Sequence, residues 1–587
     1  MKKHIRLLAI LLAVLMLGSM FTGCAKKTAS GSASGTTAAS AGSASAASAQ
    51  SSGSDDWDGN MDNLYTIDIL ADTSYVDSSL DTAIGQYIAQ KFGIAFNYLT
   101  YSGDMQEKQA LMLAGGDFNE MQYMQYQTIV QQYIDAGALL NLDDYKDLLP
   151  DFYTRFADLI PYWRAASKDG GLYKWESATP RTVDTEIPHF DIMVRSDVLE
   201  HYGWPNLVTA SDWKAFLAKA VKDFPTSYDG QSTVGLTTPL AESWGMQGVA
   251  AIGYEKGDTY VAAGNDYYTY NDKTQQFEDY LLNPEAKESF QFFNDLYKEG
   301  LLDEECFTDT SDNTLAKMSD GRAIAVWYMS WNNSTANAAL TEAGHPEMSY
   351  IQQPFQLDSQ AGQKYTAPAI YSYPYMSYGV TTNCKHPERL LKFINWCCTE
   401  EGQLLLQSGI EGTHYTVENG KRVPTDLRYQ CSSDEATAKK EGLMDGDVFP
   451  LRGLPMCFTL AEDGQPYNLS QDQTYIDEHG LSDREKEAFA GLGWKTSNQW
   501  WAENVEAIDP GYFQSCALDT TSDLGKVGAK MVELRVKYSA NLLMADNFDD
   551  VWSQLMTEYD KLDHQKVIDA MNETLAGYVA AKNAASK

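Results

Sequence analysis

YTIDILADTSYVDSSLDTAIGQYIAQKFGIAFNYLTYSGDMQEKQALMLAGGDFNEMQYM, Tyr65 to Met124, is the stretch that decides the fold class. Tyr65 to Leu70 alternates apolar and polar residues as a half-buried strand does, and Leu80 to Lys91 repeats its apolar residues at helical spacing. Ile94 to Tyr101 reads as a second strand, Met105 to Leu113 as a second helix stopped by Gly115-Gly116, and Met121 to Met124 as a third strand. Strands that alternate with helices predict a mainly parallel sheet with helices on its faces, because a parallel pair needs a crossover long enough to hold a helix.

The same pattern continues outward. Helices are expected over Tyr133 to Leu140, from Asp197 to a Gly203-Trp204-Pro205 stop, after a cap at Thr209 or Ser211, and over Pro284 to Leu296. A turn at Asp169-Gly170-Gly171 feeds a strand near Trp175, Phe190 to Arg195 is another strand, and Ala323 to Trp331 and Ala369 to Val380 are strand-like and aromatic. Leu390 to Gln407 reads as one long amphipathic helix. The last quarter is helical over Glu485 to Leu492, Lys526 to Met544, Phe548 to Tyr559 and Gln565 to Ala581. A chain of 587 residues exceeds what one hydrophobic core serves, so at least two lobes are expected.

Before the fold comes an address. Lys2, Lys3 and Arg6 form a short basic head, Ile5 to Leu17 is almost wholly apolar, and small residues then lead to a cysteine, the layout of a secretory signal. Phe21-Thr22-Gly23-Cys24 resembles the lipobox of bacterial lipoproteins, which implies a signal peptide over 1–23, cleavage before Cys24 and lipid on Cys24. The apolar run is shorter than the roughly 20 residues of a spanning helix. Residues 24–56 are the lipidated cysteine and a tether, since Lys26 to Ser54 is nearly all Ala, Ser, Gly and Thr and has nothing to bury.

The formal charge of −37 grows more negative once the basic head is removed, and such a field repels nucleic acid and anionic membrane surfaces. Seven cysteines remain after Cys24, an odd number without C-x-x-C spacing; they read as buried hydrophobes, with one bridge such as Cys431 to Cys457 left open. No G-x-S-x-G elbow, H-E-x-x-H, phosphate loop or dinucleotide fingerprint is present, so no catalytic residue, metal or cofactor is expected. A glycosidase pair needs no sequence proximity and could draw on any of 81 acidic residues, which keeps a carbohydrate-active enzyme as an alternative.

Aromatic content is the stronger signal, with 36 Tyr, 21 Phe and 13 Trp. Sugar rings have flat apolar faces and polar edges, which aromatic platforms flanked by amides and carboxylates suit.

Several short stretches, standing in order, resemble one family: the extracellular solute-binding lipoproteins of ABC importers, family 1, the large carbohydrate type of Gram-positive bacteria. They are Ala110 to Asp117, Gly137 to Asp143, Asp169 to Lys174, Val194 to Leu199 with Gly203, Leu296 to Asp303 and Cys384 to Glu388. Asn395-Trp396, Glu400 to Gly402 and Gly409 to Tyr415 complete the set. The resemblance implies an α/β, two-lobe periplasmic-binding-protein-like fold of type II with a helical C-terminal part. Lobe one would hold 57–188 and about 378–429, lobe two 189–377 and about 430–587. An oligosaccharide would be clamped between the lobes and delivered to two ABC permease proteins by a monomer at the outer face of the cell membrane. A peptide or a cationic small solute, or an adhesin role, are the other readings.

Ligands of open α/β sheets sit off the carboxyl ends of strands. Asp72 and Tyr75 follow the first strand, Tyr123 and Gln125 belong to the third, Trp175 stands beside the first crossing and Trp244 follows Thr237-Thr238-Pro239. Trp327 and Trp331 occupy the stretch that supplies a stacking platform in related sugar binders, Tyr371, Tyr373 and Tyr375 precede a crossing, and Tyr512 follows Asp509-Pro510-Gly511. Trp327 and Trp244 lead this set of expected ligand contacts.

Overall fold

The computed structural model describes residues 57, 59–71, 76–101, 105–165, 167–176, 191–250, 256, 259–260, 268–327, 329–368, 376–443, 451–475, 479–508, 516, 518 and 521–585. The signal, Cys24 and the tether lie outside the described residues.

The opening stretch folds as its pattern requires: β1 Tyr65–Ala71, α1 Ala83–Phe92, β2 Ile94–Thr100, α2 Met105–Gly115 and β3 Met121–Met124. β1 and β2 pair in parallel from Tyr65 opposite Ile94 to Ala71 opposite Thr100. Thr82 caps α1 through Gly85 N–H, and Gly93 ends it at φ 62°, where a Cβ would collide with Arg389 and Trp57. Trp57 is thereby fixed at the start of the body, its ring under the Arg389 guanidinium and its indole N–H on Gln90 O.

The next helix, α3, is Tyr126–Asp135 and begins directly after β3, not at Tyr133. Then follow α4 Pro150–Arg155, β4 Trp175–Glu176, β5 Ile192–Arg195, α5 Ser196–His201, α6 Ala210–Asp223, β6 Val234–Thr237 and α7 Ser243–Ala250. Thr209, rather than Ser211, caps α6 in a reciprocal box with Asp212, while the Ser211 hydroxyl donates to Asp358. A small meander, β7 Thr259–Tyr260, β8 Tyr268–Asn271 and β9 Gln276–Asp279, leads to α8 Pro284–Lys298, α9 Ser311–Ser319 and β10 Ala323–Trp327. The strand expected to reach Trp331 stops at Trp327; Ser330–Asn332 is a 3₁₀ turn and α10 is Asn333–Glu342. β11 Tyr350–Gln353, β12 Tyr365–Pro368 and β13 Ser377–Val380 follow.

The helix expected over Leu390 to Gln407 is two, α11 Pro387–Cys397 and α12 Glu400–Gln407, because the Thr399 hydroxyl accepts Gly402 N–H and starts a new helix. Thereafter come the hairpin β14 Tyr415–Glu418 and β15 Lys421–Pro424, α13 Asp426–Ser433, α14 Glu435–Glu441, α15 Asp483–Leu492, α16 Ser497–Asn504 and β16 Val505–Ile508. The chain ends with α17 Asp523–Leu543, α18 Phe548–Tyr559 and α19 His564–Ala585.

Two large cores make the two lobes of this α/β fold. The first collects side chains from Tyr65 to Trp175, Met376 to Leu406 and Cys431 to Tyr467; the second collects Ile192 to Leu357 and Met531 to Val567. Cys431 to Tyr467 was expected with lobe two, and it packs in the first core instead. Trp175 Nε1 donates to Gly453 O, and Gln403 Nε2 donates to Pro455 O, so this stretch is held by long-range bonds that no local pattern announces. The C-terminal helices pack on lobe two, where the Asn294 amide donates to the carbonyls of Leu542, Leu543 and Ala545 and closes α17 without a glycine.

Candidate ligand-binding site

In lobe one β13 lies between β3 and β4 and runs against both, Ser377 standing opposite Met124 and opposite Glu176. The carboxyl ends of β3 and β4 therefore share an edge with the amino end of β13. In lobe two the order is β11-β5-β10-β6, and Ile192 at the amino end of β5 stands opposite Trp327 and Gln353 at the carboxyl ends of β10 and β11. Thr237 ends β6 beside Val326. The chain thus leaves lobe one and enters lobe two at the carboxyl edges of the two sheets, the edges where open α/β sheets take ligands.

Buried polar groups fix both edges. Lys174 Nζ lies 2.9 Å from Glu176 Oε1 and donates to Ser377 Oγ at 3.1 Å, tying β4 to β13 where the chain departs. Gln109, buried on α2, donates to Tyr123 O at 3.0 Å and accepts Gln125 N–H at 3.1 Å, which sets the end of β3. In lobe two the Thr237 hydroxyl donates to Asp303 Oδ2 at 2.9 Å. Lys317 reaches Asp303 at 2.6 Å, Asp309 at 2.5 Å and Glu305 at 2.9 Å. Burial alone would lower the Lys317 pKa, but the bonds to these carboxylates outweigh it and raise it.

Lobe one carries a further charged knot away from its edge. Asp143 takes both Arg164 amino groups at 2.5 and 2.6 Å, the Tyr153 hydroxyl and Leu172 N–H, and Arg164 holds its pKa down to about 2. A cavity of about 450 Å³ lies among Asp151, Arg155, Thr399, Glu400, Thr459 and Glu462, none of them at a strand's carboxyl end. Among the described residues no group of three or more His, Cys, Asp or Glu could hold a metal ion. The seven described cysteines are free, and Cys431 and Cys457, the pair left open, are both buried thiols of the first core.

The expected ligand contacts divide into three groups. Asp72, Tyr75, Tyr371, Tyr373, Tyr375 and Tyr512 lie outside the described residues. Trp244 is on α7 after the carboxyl end of β6, Gln125 is half-buried at the carboxyl end of β3, and Trp331 is half-buried in the turn after β10. Tyr123, Trp175 and Trp327 are corrected to core residues, at 1%, 0% and 0% exposure. Trp327 packs edge-on against Phe293 and Phe355 and donates its indole N–H to Gly248 O at 3.1 Å, so it has no face left for a sugar. Tyr123 lies against Tyr378, and Trp175 holds Gly453. Sequence reasoning missed Gln109, Lys174 and Lys317; the one local signal was the carboxylate spacing of Asp303, Glu305 and Asp309 ahead of a single lysine.

This geometry has counterparts. The alginate-binding protein AlgQ2, in a structure without calcium ion, superimposes with a TM-score of 0.60 at 14% identity, over 87% of this chain and 98% of that one. The S. pneumoniae ABC-transporter substrate-binding protein FusA, an EF-hand mutant in complex with fructo-nystose, gives 0.59 at 15% identity over 88% and 100%. A curated Niallia circulans protein, an uncharacterized protein in the butB 5' region, is 27% identical over 137 residues, 23% of this chain, and the match spans about half of that relative, 52%. Residues 82–413 match the profile described as bacterial extracellular solute-binding protein. That span runs from the cap of α1 to the turn before β14 and covers more than half of the chain, and the chain belongs to the bacterial extracellular solute-binding proteins.

Proposed function

We propose that this chain is the substrate-binding protein of an ABC importer, that its ligand is an oligosaccharide, and that it delivers the ligand to two permease proteins from the outer face of the cell membrane. The carrying observation is the meeting of both sheets' carboxyl edges with the chain that connects the lobes. Closure of such a pair of lobes buries a ligand from water and gives it contacts from both sides, so ligand shifts an open–closed equilibrium by its differential affinity. One structural counterpart is named as alginate-binding and the other is in complex with fructo-nystose, two unlike saccharides. Trp244, Trp331 and Gln125 are the described positions we assign to ligand contact, with Asp72, Tyr75, Tyr371, Tyr373, Tyr375 and Tyr512 as further ones. The lobes divide near 188 and near 378, with 431–467 assigned to lobe one. Lipid on Cys24 would hold the protein at the membrane, acting as a monomer.

A titration of the purified protein against plant, algal and host oligosaccharides, peptides and polyamines, read by thermal shift and tryptophan fluorescence with products checked chromatographically, tests the reading. A saturable rise in stability with one saccharide class and no turnover is expected, since a ligand of the folded state alone must stabilise it. Turnover, or a shift with peptides or polyamines only, refutes it. The anchor is tested by Cys24→Ser, which is expected to move the protein from the membrane fraction to the medium.

A further inference from the structure

The turn that joins β3 to α3 is held in a conformation its residue does not favour. Tyr126, directly after β3 and Gln125, stands at φ 65°, and three other described non-glycine residues share a positive φ. Gln275 and Asn419 lie in the turns of the hairpins β8–β9 and β14–β15, where such values belong. Trp204 follows Gly203 at the end of α5, donates its N–H to Leu199 O and packs its ring against Gly491 beneath the Arg484 guanidinium. Tyr126 has neither setting, since it joins a strand to a helix at the carboxyl edge of the lobe-one sheet.

Left-handed backbone in a bulky residue is strained and persists where the surroundings over-determine it. Gln109 does so here. Buried on α2 at 0% exposure, its amide donates to Tyr123 O at 3.0 Å and accepts Gln125 N–H at 3.1 Å, which fixes the main chain ahead of Tyr126. The Tyr133 hydroxyl on α3 donates to Gln109 O at 2.9 Å and ties the two helices together. Met124 before the turn and Ile129 and Val130 after it enter the core, while Gln125 and Tyr126 stay half-buried. A residue at a strained strand-to-helix turn is presented at the top of the sheet, which is how a nucleophile elbow exposes a hydroxyl. At this turn the same geometry presents a phenol ring, with Gln125 next to it in the chain. Glycine would make the turn without strain, so what the tyrosine adds is its side chain.

We propose that Tyr126 is a ligand-contact residue of lobe one, its ring stacked on a sugar ring of the saccharide, and that Gln109 is the positioning residue that holds the turn presenting it. This rests on the saccharide reading above and deepens it. The ring offers a flat apolar face to the C–H face of a sugar, and the phenol hydroxyl and the neighbouring carboxamide offer donors and acceptors to the sugar's edge. Because Gln109 locks the backbone of the turn before ligand arrives, binding has less of the chain to order.

The test uses the full chain in detergent with the oligosaccharide that shifts the wild type most. Tyr126→Gly suits the backbone and deletes the ring, and its affinity is expected to fall at least about tenfold. Tyr126→Phe keeps the ring and should retain most of the affinity. Gln109→Met loosens the turn, so it should weaken binding in the wild type and weaken it no further in Tyr126→Gly, because both changes then remove one effect. A purely structural Gln109 predicts a lower melting temperature in both backgrounds with affinity kept. If the wild type binds a saccharide and Tyr126→Gly binds it equally well, or Tyr126→Phe loses as much as Tyr126→Gly, the proposal fails and the saccharide reading stands. Additive affinity losses in Gln109→Met and Tyr126→Gly overturn the positioning role. If the wild type binds no saccharide, both the proposal and the saccharide reading fail.

Discussion

Lys174, just ahead of β4, and Glu176, at its end, form an ion pair of 2.9 Å, with side-chain exposures of 2% and 0%. Ser377 of β13 completes the knot by accepting from Lys174 Nζ. Removing one partner strands the other charge in low dielectric, so Lys174→Met is expected to cost about 3–5 kcal/mol in denaturant unfolding. Lys174→Met with Glu176→Leu should recover most of that loss, because an apolar pair of similar volume avoids burying charge at all. A double variant no more stable than the single one would show that the pair is not the cause.

Trp327 should behave as a core residue. Trp327→Ala leaves a cavity between Phe293 and Phe355 and is expected to cost about 3–5 kcal/mol, with Trp327→Phe costing much less. Ligand affinity of the folded Trp327→Phe protein should equal that of the wild type. Trp331→Ala should do the opposite, lowering affinity by fluorescence titration at little cost in melting temperature. Equal affinity losses in Trp327→Phe and Trp331→Ala would return Trp327 to the site.

What the residues disclosed and what they hid follow from how far each determinant reaches along the chain. Met121–Met124 and Phe548–Tyr559 were legible to the residue because their boundaries rest on local pattern: four buried positions after a Gly-Gly-Asp turn, and an apolar stripe after Asn547. The break at Thr399 was also locally written, since a threonine ahead of Glu400 and Glu401 is a helix start, but the apolar stripe on either side masked it. The start of α3 had no such mark, because Gln125 is not a capping residue and the turn is set by Gln109, sixteen residues earlier. Trp327 reads like a platform from the resemblance to sugar binders, yet all five residues of β10 are buried, and a strand enclosed on both faces gives no alternation by which to tell the cleft from the core. The placement of Cys431 to Tyr467 depends on bonds from Trp175 and Gln403, which sequence order does not reveal.

Lys317 acts as a fixed cation for the loop that carries Asp303, Glu305 and Asp309. Its loss leaves like charges facing each other, two of them nearly buried, and also loosens the Thr237 contact at the end of β6. Lys317→Met is expected to cost about 3–5 kcal/mol, and adding Asp309→Asn should restore part of it by removing one of the repelling charges. Urea titrations of the single and double variants measure this, and a single variant as stable as wild type would refute it.

His414 makes lobe one sensitive to acid. Its Nδ1 accepts Ile410 N–H at 2.9 Å, which leaves the ring proton on Nε2, 3.2 Å from Glu441 Oε2. Gly409, at φ 95°, lets the turn close over the ring, where a Cβ would lie 2.6 Å from it. Burial, the largest cause, holds the His414 pKa below its ordinary 6.5 although Glu441 pulls it upward, and a proton added at Nδ1 would also face the Ile410 N–H. The unfolded chain takes up this proton more readily than the folded one. The stability that depends on neutral His414 is therefore complete above about pH 6.5 and is lost as the pH falls through the lower folded value. Urea unfolding of the wild type between pH 8 and pH 5 should show this decline, and His414→Gln, less stable at pH 8, should show a shallower one. Parallel pH profiles for the two proteins would remove His414 as the cause.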